Sequence, residues 1–354
     1  MRECSFAMIG VGNIGRRFLE IMSEKEQTLA ERFGLRLHLV AVADSAGAAL
    51  CEAGLSAERI IALKKGGASV AGYPDCGRRG MGAAEALERS GADMLVELSP
   101  TNLQHGEPGL ASIVWALEHR MDVVTANKGP LVLEYQRLAH IAVQNGRSLL
   151  FSGAVAGGLP TVNIGRRDLV GAHVQRVEGV FNTTTNYILT RMADDGLSFG
   201  EALSEAQACG VAEANPSLDI DGWDAANKLV ILANSVLGMP ARLGDVTVHG
   251  IRDVQLEDLI RAKQQGNAIK LLVSAVSEGS SYRLSVGPTE LPGHHPLARL
   301  TRWQMAVVYH TDIMGTIAAI IDDEGTTATA GAVLRDVINT LNRRDETRVK
   351  RGVA

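Results

Sequence analysis

Short apolar runs alternate with helical patterns along the first 150 residues. Near-continuous apolar runs, typical of strands buried on both faces, begin at Ser5 and recur within 35–44, 92–100, 121–130 and 146–160. Helical patterns follow the first run and also occupy 81–90, 106–120 and 131–145. Strands that alternate with helices predict a parallel sheet covered on both faces. We therefore predict a doubly wound, Rossmann-type α/β domain in residues 1–150.

The pattern changes after residue 150. A strand enters a helix within 173–192, further helices are predicted in 199–210 and 224–238, and pairs of strands in 268–291 and 305–321. Because strands and helices no longer alternate strictly, we predict an α+β fold for this part. We expect the second domain to span 151–323, and a C-terminal helix within 324–354 to complete the first domain.

Composition and length exclude several classes of protein. The 354 residues suggest two domains, and a net charge of −5 with 4 % aromatic residues does not suit nucleic-acid binding. No apolar run approaches the roughly 18 residues of a membrane span, and the N-terminal run is too short for a signal peptide. Four scattered cysteines without a CxxC pair argue against a disulfide framework. We expect a cytoplasmic protein that binds a small molecule, with no membrane or nucleic-acid partner.

The sequence GVGNIG (10–15) fits the GxGxxG pattern of dinucleotide-binding folds. It follows a predicted strand and opens a predicted helix, which is the context that the pattern requires. Gly10 allows a tight turn, Gly12 lets the backbone approach a pyrophosphate, and Gly15 lets helix and strand pack closely. The helix N-terminus, which begins at Asn13 and Ile14, supplies N–H groups to the anion. We predict that these five residues bind the cofactor.

An acid, Asp44, ends the second predicted strand, where dinucleotide-binding folds place the residue that binds the ribose hydroxyls. It lies further along the chain than the usual ~20 residues, because an insert lengthens the first crossover. A carboxylate at this position repels the 2′-phosphate of NADP, so we predict NAD or NADP with a preference for NAD. Lys64 and Lys65 keep NADP open, because lysines can pair with a phosphate.

Polar residues follow the third and fourth predicted strands, at the sheet edge where open α/β folds bind ligands. TANKGP (125–130) ends the fourth strand, so Asn127 and Lys128 fall where the nicotinamide end of a cofactor is expected. Ser99, Pro100 and Thr101 follow the neighbouring strand and face the same cleft. We predict cofactor binding at all five. By position alone, Lys128 also fits a loop lysine in solvent.

The segment EANPSLDIDGWDAANK (213–228) places four acids before a lysine and permits two interpretations. Asp224 and Lys228 have the spacing of an ion pair on a helix surface, and Asp221 is suited to cap that helix. The helix continues as LVILANSVLG, however, which is apolar nearly all round and therefore predicts burial. A lysine on the first turns of a buried helix, with acids beside it, favours a cleft over bulk water.

Several stretches occur in the order and spacing seen in homoserine dehydrogenases, which this chain resembles from about residue 5 to residue 340. They are GVGNIG, VVTANKGP, AVAGGLP, TTNYILT, EANPSLDIDGWDAANKLVILA, GNAIKLL and HPLA. The resemblance is to the short form, without a regulatory or aspartokinase domain. It implies reduction of aspartate 4-semialdehyde to homoserine with NADH or NADPH. It also implies a homodimer, and a catalytic and dimerisation region built on a mixed sheet.

The resemblance implies that two lysines perform the proton chemistry. Lys128 and Lys228 would flank the aldehyde or alcohol oxygen, and Asp224 would order Lys228. Hydride addition places negative charge on that oxygen, so two ammonium groups would stabilise it and one would donate the proton. An ordinary lysine, with a pKa of ~10.4, is a poor acid at pH 7, and a neighbouring cation with partial burial would lower that pKa.

The resemblance also implies residues that bind the substrate. Glu213 and Asp219 would hold its ammonium group, and Thr184 would lie where nicotinamide and substrate meet. Thr183, beside it, replaces the glycine of the family sequence NGTTN and would crowd the same place.

Other departures leave the substrate and a cation open. Met305 stands where the family has asparagine, and 321–330 are acidic where the family is rich in glycine. Ser152 replaces the glutamate that tends to begin GGLP (157–160), the turn whose family counterpart holds a monovalent cation. We predict no metal at His294 and His295, which have no carboxylate or cysteine at ligand spacing. A related dehydrogenase with another small substrate is the alternative, and a sensor without turnover is disfavoured by the two lysines.

Overall fold

The computed structural model describes residues 1–352, with side chains as far as Asn342. The chain divides into two compact units, the first formed by Met1–Ala154 with Thr326–Ala354 and the second by Val155–Gly325. Within the described part of the chain, every helix is too short or too polar to cross a membrane.

The described residues form thirteen strands, β1 to β13, which in chain order are Arg2–Ile9, Leu35–Asp44, Gly47–Leu50, Gly77–Arg79, Met94–Glu97, Asp122–Thr125, Leu149–Leu150, Val174–Val180, Val246–Val248, Ala268–Glu278, Ser281–Leu291, Gln304–Thr311 and Thr316–Asp322. The helices α1 to α13 of the same residues are Asn13–Glu24, Glu26–Phe33, Ala57–Lys65, Ala83–Ser90, Gly109–Glu118, Lys128–Gln144, Thr161–Asn163, Thr183–Asp195, Phe199–Ala208, Ser217–Ile220, Trp223–Ser235, Leu256–Gln264 and Thr327–Gly352.

The first unit is built on a seven-stranded sheet in the order β4-β3-β2-β1-β5-β6-β7. The pairs β2–β1, β1–β5, β5–β6 and β6–β7 are parallel. All residues of β5 and β6 are buried, which fits a sheet covered on both faces. The predicted Rossmann-type class is confirmed. Two antiparallel edge strands, β3 and β4, were not predicted, because strands of four and three residues are too short to show a pattern.

The C-terminal helix α13 belongs to the first unit and packs against α1. Its apolar residues at helical spacing enter the core of that unit: Ala330, Val333, Leu334, Val337 and Leu341. The assignment of the first unit to nucleotide binding, and of the second unit to catalysis and dimerisation, stays a prediction.

The second unit is built on a six-stranded sheet in the order β13-β12-β8-β10-β11-β9. Its pairs are antiparallel except β9 with β11, so the predicted mixed sheet is confirmed. Helix α11 packs on β10 and β11, while α8 packs on β10 and β12. The two helices therefore have fixed positions on the sheet, and their N-terminal ends carry the polar side chains described below.

Candidate active site

The glycine loop of the first unit leaves no space for side chains at two of its positions. A methyl group on Gly10, whose φ is +91°, would lie 2.3 Å from the carbonyl oxygen of Leu98. On Gly15 it would lie 2.6 Å from the carbonyl oxygen of Gly10, so α1 and β1 pack closely there. Gly12, directly before α1, faces open space. Backbone N–H groups at the start of α1, from Asn13 and Ile14 onward, are therefore accessible to a phosphate, and the loop fits a dinucleotide.

Asp44, at the end of β2, accepts hydrogen bonds from several groups. Lys64 Nζ and Ser69 Oγ lie 2.8 Å from its oxygens, and the N–H groups of Val70 and Ala46 lie at 3.0 Å. Burial alone would raise the pKa of this carboxyl group, but the hydrogen bonds, first among them the one from Lys64, outweigh it and lower the pKa. Asp44 is thus held ionised at the predicted ribose position, with a lysine directly beside it.

The polar residues predicted at the ends of β5 and β6 lie together. Asn127 Oδ1 caps α6 by accepting the N–H of Gly129 at 3.0 Å, and its Nδ2 donates to Ser99 Oγ at 3.2 Å. Lys128, half-buried, is the first residue of α6. Pro100 and Thr101 follow Ser99 and are exposed.

Glu97, which was not predicted as part of this group, is its centre. It is fully buried and accepts hydrogen bonds from the Ser99 hydroxyl, from the Ser99 N–H at 2.9 Å and from Thr125 Oγ1 at 3.0 Å. Burial raises the pKa of this carboxyl group, against the effect of those donors. The only signal in the sequence was an acid inside an apolar strand, ADMLVELSP.

A lysine and two aspartates meet at the N-terminal ends of α8 and α11 in the second unit. Lys228 Nζ lies 2.7 Å from Asp224 Oδ2 and donates to the carbonyl oxygen of Phe181 at 2.6 Å. Asn182, the N-cap of α8, joins the acids: its Nδ2 donates to Asp219 Oδ1 at 2.7 Å and to Asp224 Oδ2 at 3.0 Å. The side chains of Lys228 and Asp224 are only 12 % and 11 % exposed, which excludes the surface ion pair.

Asp219 is the second acid of this cluster. Thr184 Oγ1 donates to its Oδ2 at 2.9 Å, so hydrogen bonds from Thr184 and Asn182 fix both carboxylate oxygens. Burial, and then the negative charge of Asp224, raise the pKa of Asp219, while Asn182 and Lys228 lower it in part. A cationic partner would stabilise the ionised form of this partly desolvated carboxylate, which shares its site with another acid.

The predicted cap of α11 was wrong. The N-cap is Gly222, with a φ of +84° that favours glycine, and it makes no side-chain capping bond. Asp221 instead pairs with the guanidinium of Arg252. The turn before α11 thus points neighbouring acids in different directions. Asp221 forms a structural ion pair, whereas Asp219 and Asp224 face the lysine.

Thr183 and Glu213, also predicted to bind the substrate, belong to the same chain segments as Thr184 and Asp219. Thr183 begins α8 with an ordinary helical backbone, so the replacement of a glycine causes no strain at this position. Glu213 is exposed, and Gln207 Nε2 donates to its carbonyl oxygen at 3.2 Å. Its carboxylate has no partner within the described part of the chain.

Asp323 is a third acid near Lys228 and was missed as a site residue. It is buried, its N–H donates to the carbonyl oxygen of Trp303 at 3.1 Å, and one of its carboxylate oxygens has no partner among the described residues. Burial raises its pKa, while Lys228 and the N–H of Gly158, in the GGLP turn, lower it in part. The sequence showed an acidic stretch within 321–330, but nothing in it distinguished Asp323 from its neighbours.

A histidine pair lies beside a buried acid elsewhere in the second unit. His310 Nε2 and His295 Nε2 lie 2.9 Å and 3.4 Å from Glu178 Oε2. The N–H of Leu297 donates to His295 Nδ1, so the proton of the neutral ring is on Nε2 and is donated to Glu178. Metal binding through that Nε2 would displace the proton toward an N–H group. The fold therefore supplies the acid that the sequence did not show near His295, but in a hydrogen-bonded arrangement.

The glycine loop that fits a dinucleotide and the largely buried pair of Lys228 and Asp224 together define a class of protein, the nicotinamide-dependent dehydrogenases. Comparison with known proteins identifies the family. The model of the homoserine dehydrogenase NAD-binding domain matches residues 10–152, and the homoserine dehydrogenase model matches 160–338. The chain belongs to the homoserine dehydrogenase family, NAD(P)-dependent oxidoreductases that act on a CH–OH group.

Individual relatives agree with this assignment over nearly the whole chain. Homoserine dehydrogenase of Methanocaldococcus jannaschii is 35 % identical over 95 % of this chain and 98 % of its own. The NAD(+)-dependent homoserine dehydrogenase of Pseudomonas canavaninivorans is 33 % identical over 96 % of each chain. A hyperthermophilic archaeal homoserine dehydrogenase in complex with NADPH superposes with a TM-score of 0.82, at 26 % identity over 97 % of this chain and 98 % of that chain. The alternatives, another substrate or a sensor, are not favoured.

Proposed function

We propose that the chain interconverts L-homoserine and L-aspartate 4-semialdehyde, with Lys228 transferring the proton on the substrate oxygen. NADH or NADPH supplies the hydride when bound. The observation that carries this proposal is the largely buried ion pair of Lys228 and Asp224, with Nζ and Oδ2 2.7 Å apart. Asp224 and Phe181 occupy two of the three N–H groups of the ammonium among the described residues, which leaves one for a substrate oxygen.

Lys228 acts in both directions of this reaction. When the aldehyde is reduced, its ammonium stabilises the negative charge that develops on the oxygen and donates the proton. When homoserine is oxidised, the neutral amine accepts the hydroxyl proton. Lys128 lies in the first unit, and its part in this proton transfer stays a prediction from the family resemblance.

Asp219 and Glu213 are proposed to bind the substrate ammonium. Asp219 supports this role through its position: Asn182 and Thr184 fix its carboxylate, and one more cation would offset the repulsion from Asp224. Glu213 contributes an exposed carboxylate on the same segment. Thr184 is thus a positioning residue for Asp219, and Thr183 shapes the space beside it.

The cofactor is proposed to be NAD in preference to NADP, with Asp44 as the deciding group. We expect Asp44→Ala to lower kcat/KM for NAD+ about tenfold and to raise the NADP+/NAD+ ratio, because Lys64 then pairs with the 2′-phosphate. Initial rates with both cofactors measure this, and melting curves check the fold. Glu58→Ala, an exposed acid on α3, is the control. An unchanged cofactor ratio contradicts the assignment.

The second unit is proposed to form a homodimer through the region of β13. This strand lies at the edge of its sheet, and Ile313, Met314 and Ile320 are 68 %, 41 % and 53 % exposed. Apolar side chains at a sheet edge are typical of interfaces. Light scattering should give twice the chain mass of 37.6 kDa, and the monomer mass would contradict the proposal.

The protein is also proposed to be cytoplasmic. Its four cysteines are free thiols, which supports a reducing compartment. Fluorescence imaging of the tagged protein tests this location.

A further inference from the structure

A cavity of about 520 Å³ lies in the second unit, away from the Lys228 cluster, at the opposite end of α8. Its walls come from the last turns of α8, from α12, from the start of β10 and from residues 298–303. A volume of this size suits a small organic ligand, because ligand pockets measure roughly 300–1,000 Å³. Leu189, Leu259 and Trp303 make part of the wall apolar.

The charged side chains of the cavity are predominantly basic. Lys263, Lys270, Arg299 and Arg302 line it, against the single acid Asp194. This excess contrasts with the net charge of −5 of the whole chain. Lys263 Nζ pairs with Asp194 at 2.7 Å, so one positive charge is balanced within the cavity.

Arg299 presents a guanidinium that is largely unused. Its Nε donates to the carbonyl oxygen of Gly293 at 2.9 Å, which fixes the side chain at the cavity. The described residues provide no partner for its two terminal nitrogens. A planar pair of N–H donors held in this way matches the oxygens of a carboxylate or phosphate.

Lys270 adds a buried positive charge to the same wall. It is 4 % exposed, and its ammonium donates to Asn186 Oδ1 at 2.8 Å, Thr190 Oγ1 at 3.2 Å and the carbonyl oxygen of Leu300 at 2.8 Å. All three acceptors are neutral, so the N–H groups are satisfied, while no described residue provides a counterion in contact with the charge. Burial lowers the pKa of Lys270 to about 8. An anion in the cavity would offset this cost without a direct hydrogen bond.

We propose that this cavity binds a small organic anion, with its carboxylate or phosphate on Arg299 and its apolar body against Leu189, Leu259 and Trp303. Arg302, which lines the cavity and pairs with Asp195 at 3.3 Å, is close enough to this wall to contribute charge. The cavity lies within one unit, and its occupancy does not depend on which substrate the enzyme uses.

Fluorine NMR with two anionic probes tests the proposal on the full chain saturated with NAD+. 4-Fluorobenzoate and 4-fluorophenyl phosphate carry the two candidate anionic groups on one apolar body, and 4-fluorobenzamide is the neutral control. We expect both anions to bind more tightly than the amide, and Arg299→Gln to raise their Kd at least about fivefold. Arg261→Gln, an exposed arginine of α12 outside the cavity, should leave Kd unchanged.

Each result decides the proposal. Tighter binding of one probe assigns the ligand to carboxylic acids or to phosphate esters, and both assignments support an anion site. Anion binding that Arg299→Gln does not weaken, or that equals the amide, overturns it. Absence of binding at millimolar probe concentration also overturns it. This outcome includes the case in which a second copy of the chain covers the cavity in solution. Homoserine turnover by Arg299→Gln is expected to stay unchanged, so failure here leaves the proposed function intact.

Discussion

Lys228→Ala is expected to lower kcat for homoserine oxidation by about 10³-fold, while the Kd for the cofactor stays unchanged. General acid–base catalysis contributes about 10²–10⁴-fold, and the lost ammonium also stabilised charge on the substrate oxygen. The lysine is 12 % exposed and paired, so water does not readily replace it. Stopped-flow or steady-state rates measure turnover, and fluorescence titration with NADH measures cofactor binding.

Chemical rescue separates proton transfer from a structural role for Lys228. Added methylamine should restore part of the activity of Lys228→Ala, because a free amine enters the space of the missing side chain. Lys25→Ala, an exposed lysine outside the candidate site, is the control and should keep full activity. Turnover near the wild-type rate in Lys228→Ala would contradict the assignment of the proton to this residue.

Asp224→Ala is expected to lower both activity and stability. Its carboxylate pairs with Lys228 and accepts from Asn182, so its removal takes the paired charge from a largely buried ammonium and one acceptor from a buried amide. Breaking a buried pair costs about 3–5 kcal/mol, so we expect the free energy of unfolding to fall by about 3 kcal/mol. Because Lys228 is then no longer oriented, kcat should fall about 10²-fold. Urea unfolding and initial rates measure the two effects.

The neutral variant Asp224→Asn distinguishes charge from shape. It keeps the size of the side chain but removes the negative charge that, after burial, raises the pKa of Asp219. Asp219 then ionises more readily, so the pH at which kcat/KM for homoserine is half-maximal on its acid side should move down. Asp221→Asn, which breaks only the Arg252 pair, should show no shift. An unshifted profile in Asp224→Asn would contradict the role of Asp224.

Local patterns were enough to predict the fold class and much of the candidate site. The apolar runs located the parallel strands, and GVGNIG located the loop in which Gly10 and Gly15 have no space for a side chain. The buried helix after Lys228 pointed to a lysine in a cleft, and only 12 % of the Lys228 side chain is exposed. Each of these predictions depends on residues close in sequence, where periodicity and steric rules apply directly.

The missed residues depend on distant parts of the chain. Asn182 donates hydrogen bonds to Asp219 and Asp224, about 40 residues further along the chain. Asp323 directly follows β13 and comes close enough for its charge to interact with Lys228, about 95 residues earlier. Glu97 looked like an interruption of a strand, although it organises Ser99 and Asn127. A single sequence does not show which of several acids the fold turns inward, and for the same reason the predicted cap at Asp221 was wrong.

The assigned reaction is tested most directly by kcat/KM for homoserine beside analogues that each lack one recognised group, with NAD+ and with NADP+. Serine shortens the chain, and 4-hydroxybutyrate lacks the ammonium that Asp219 and Glu213 are proposed to bind. Wild-type protein is expected to oxidise homoserine at least about 100-fold more efficiently than either, because the analogue without the amine leaves the partly buried carboxylate of Asp219 without a cationic partner. A higher kcat/KM for an analogue, or no reduced cofactor from homoserine with either nucleotide, would contradict the assignment.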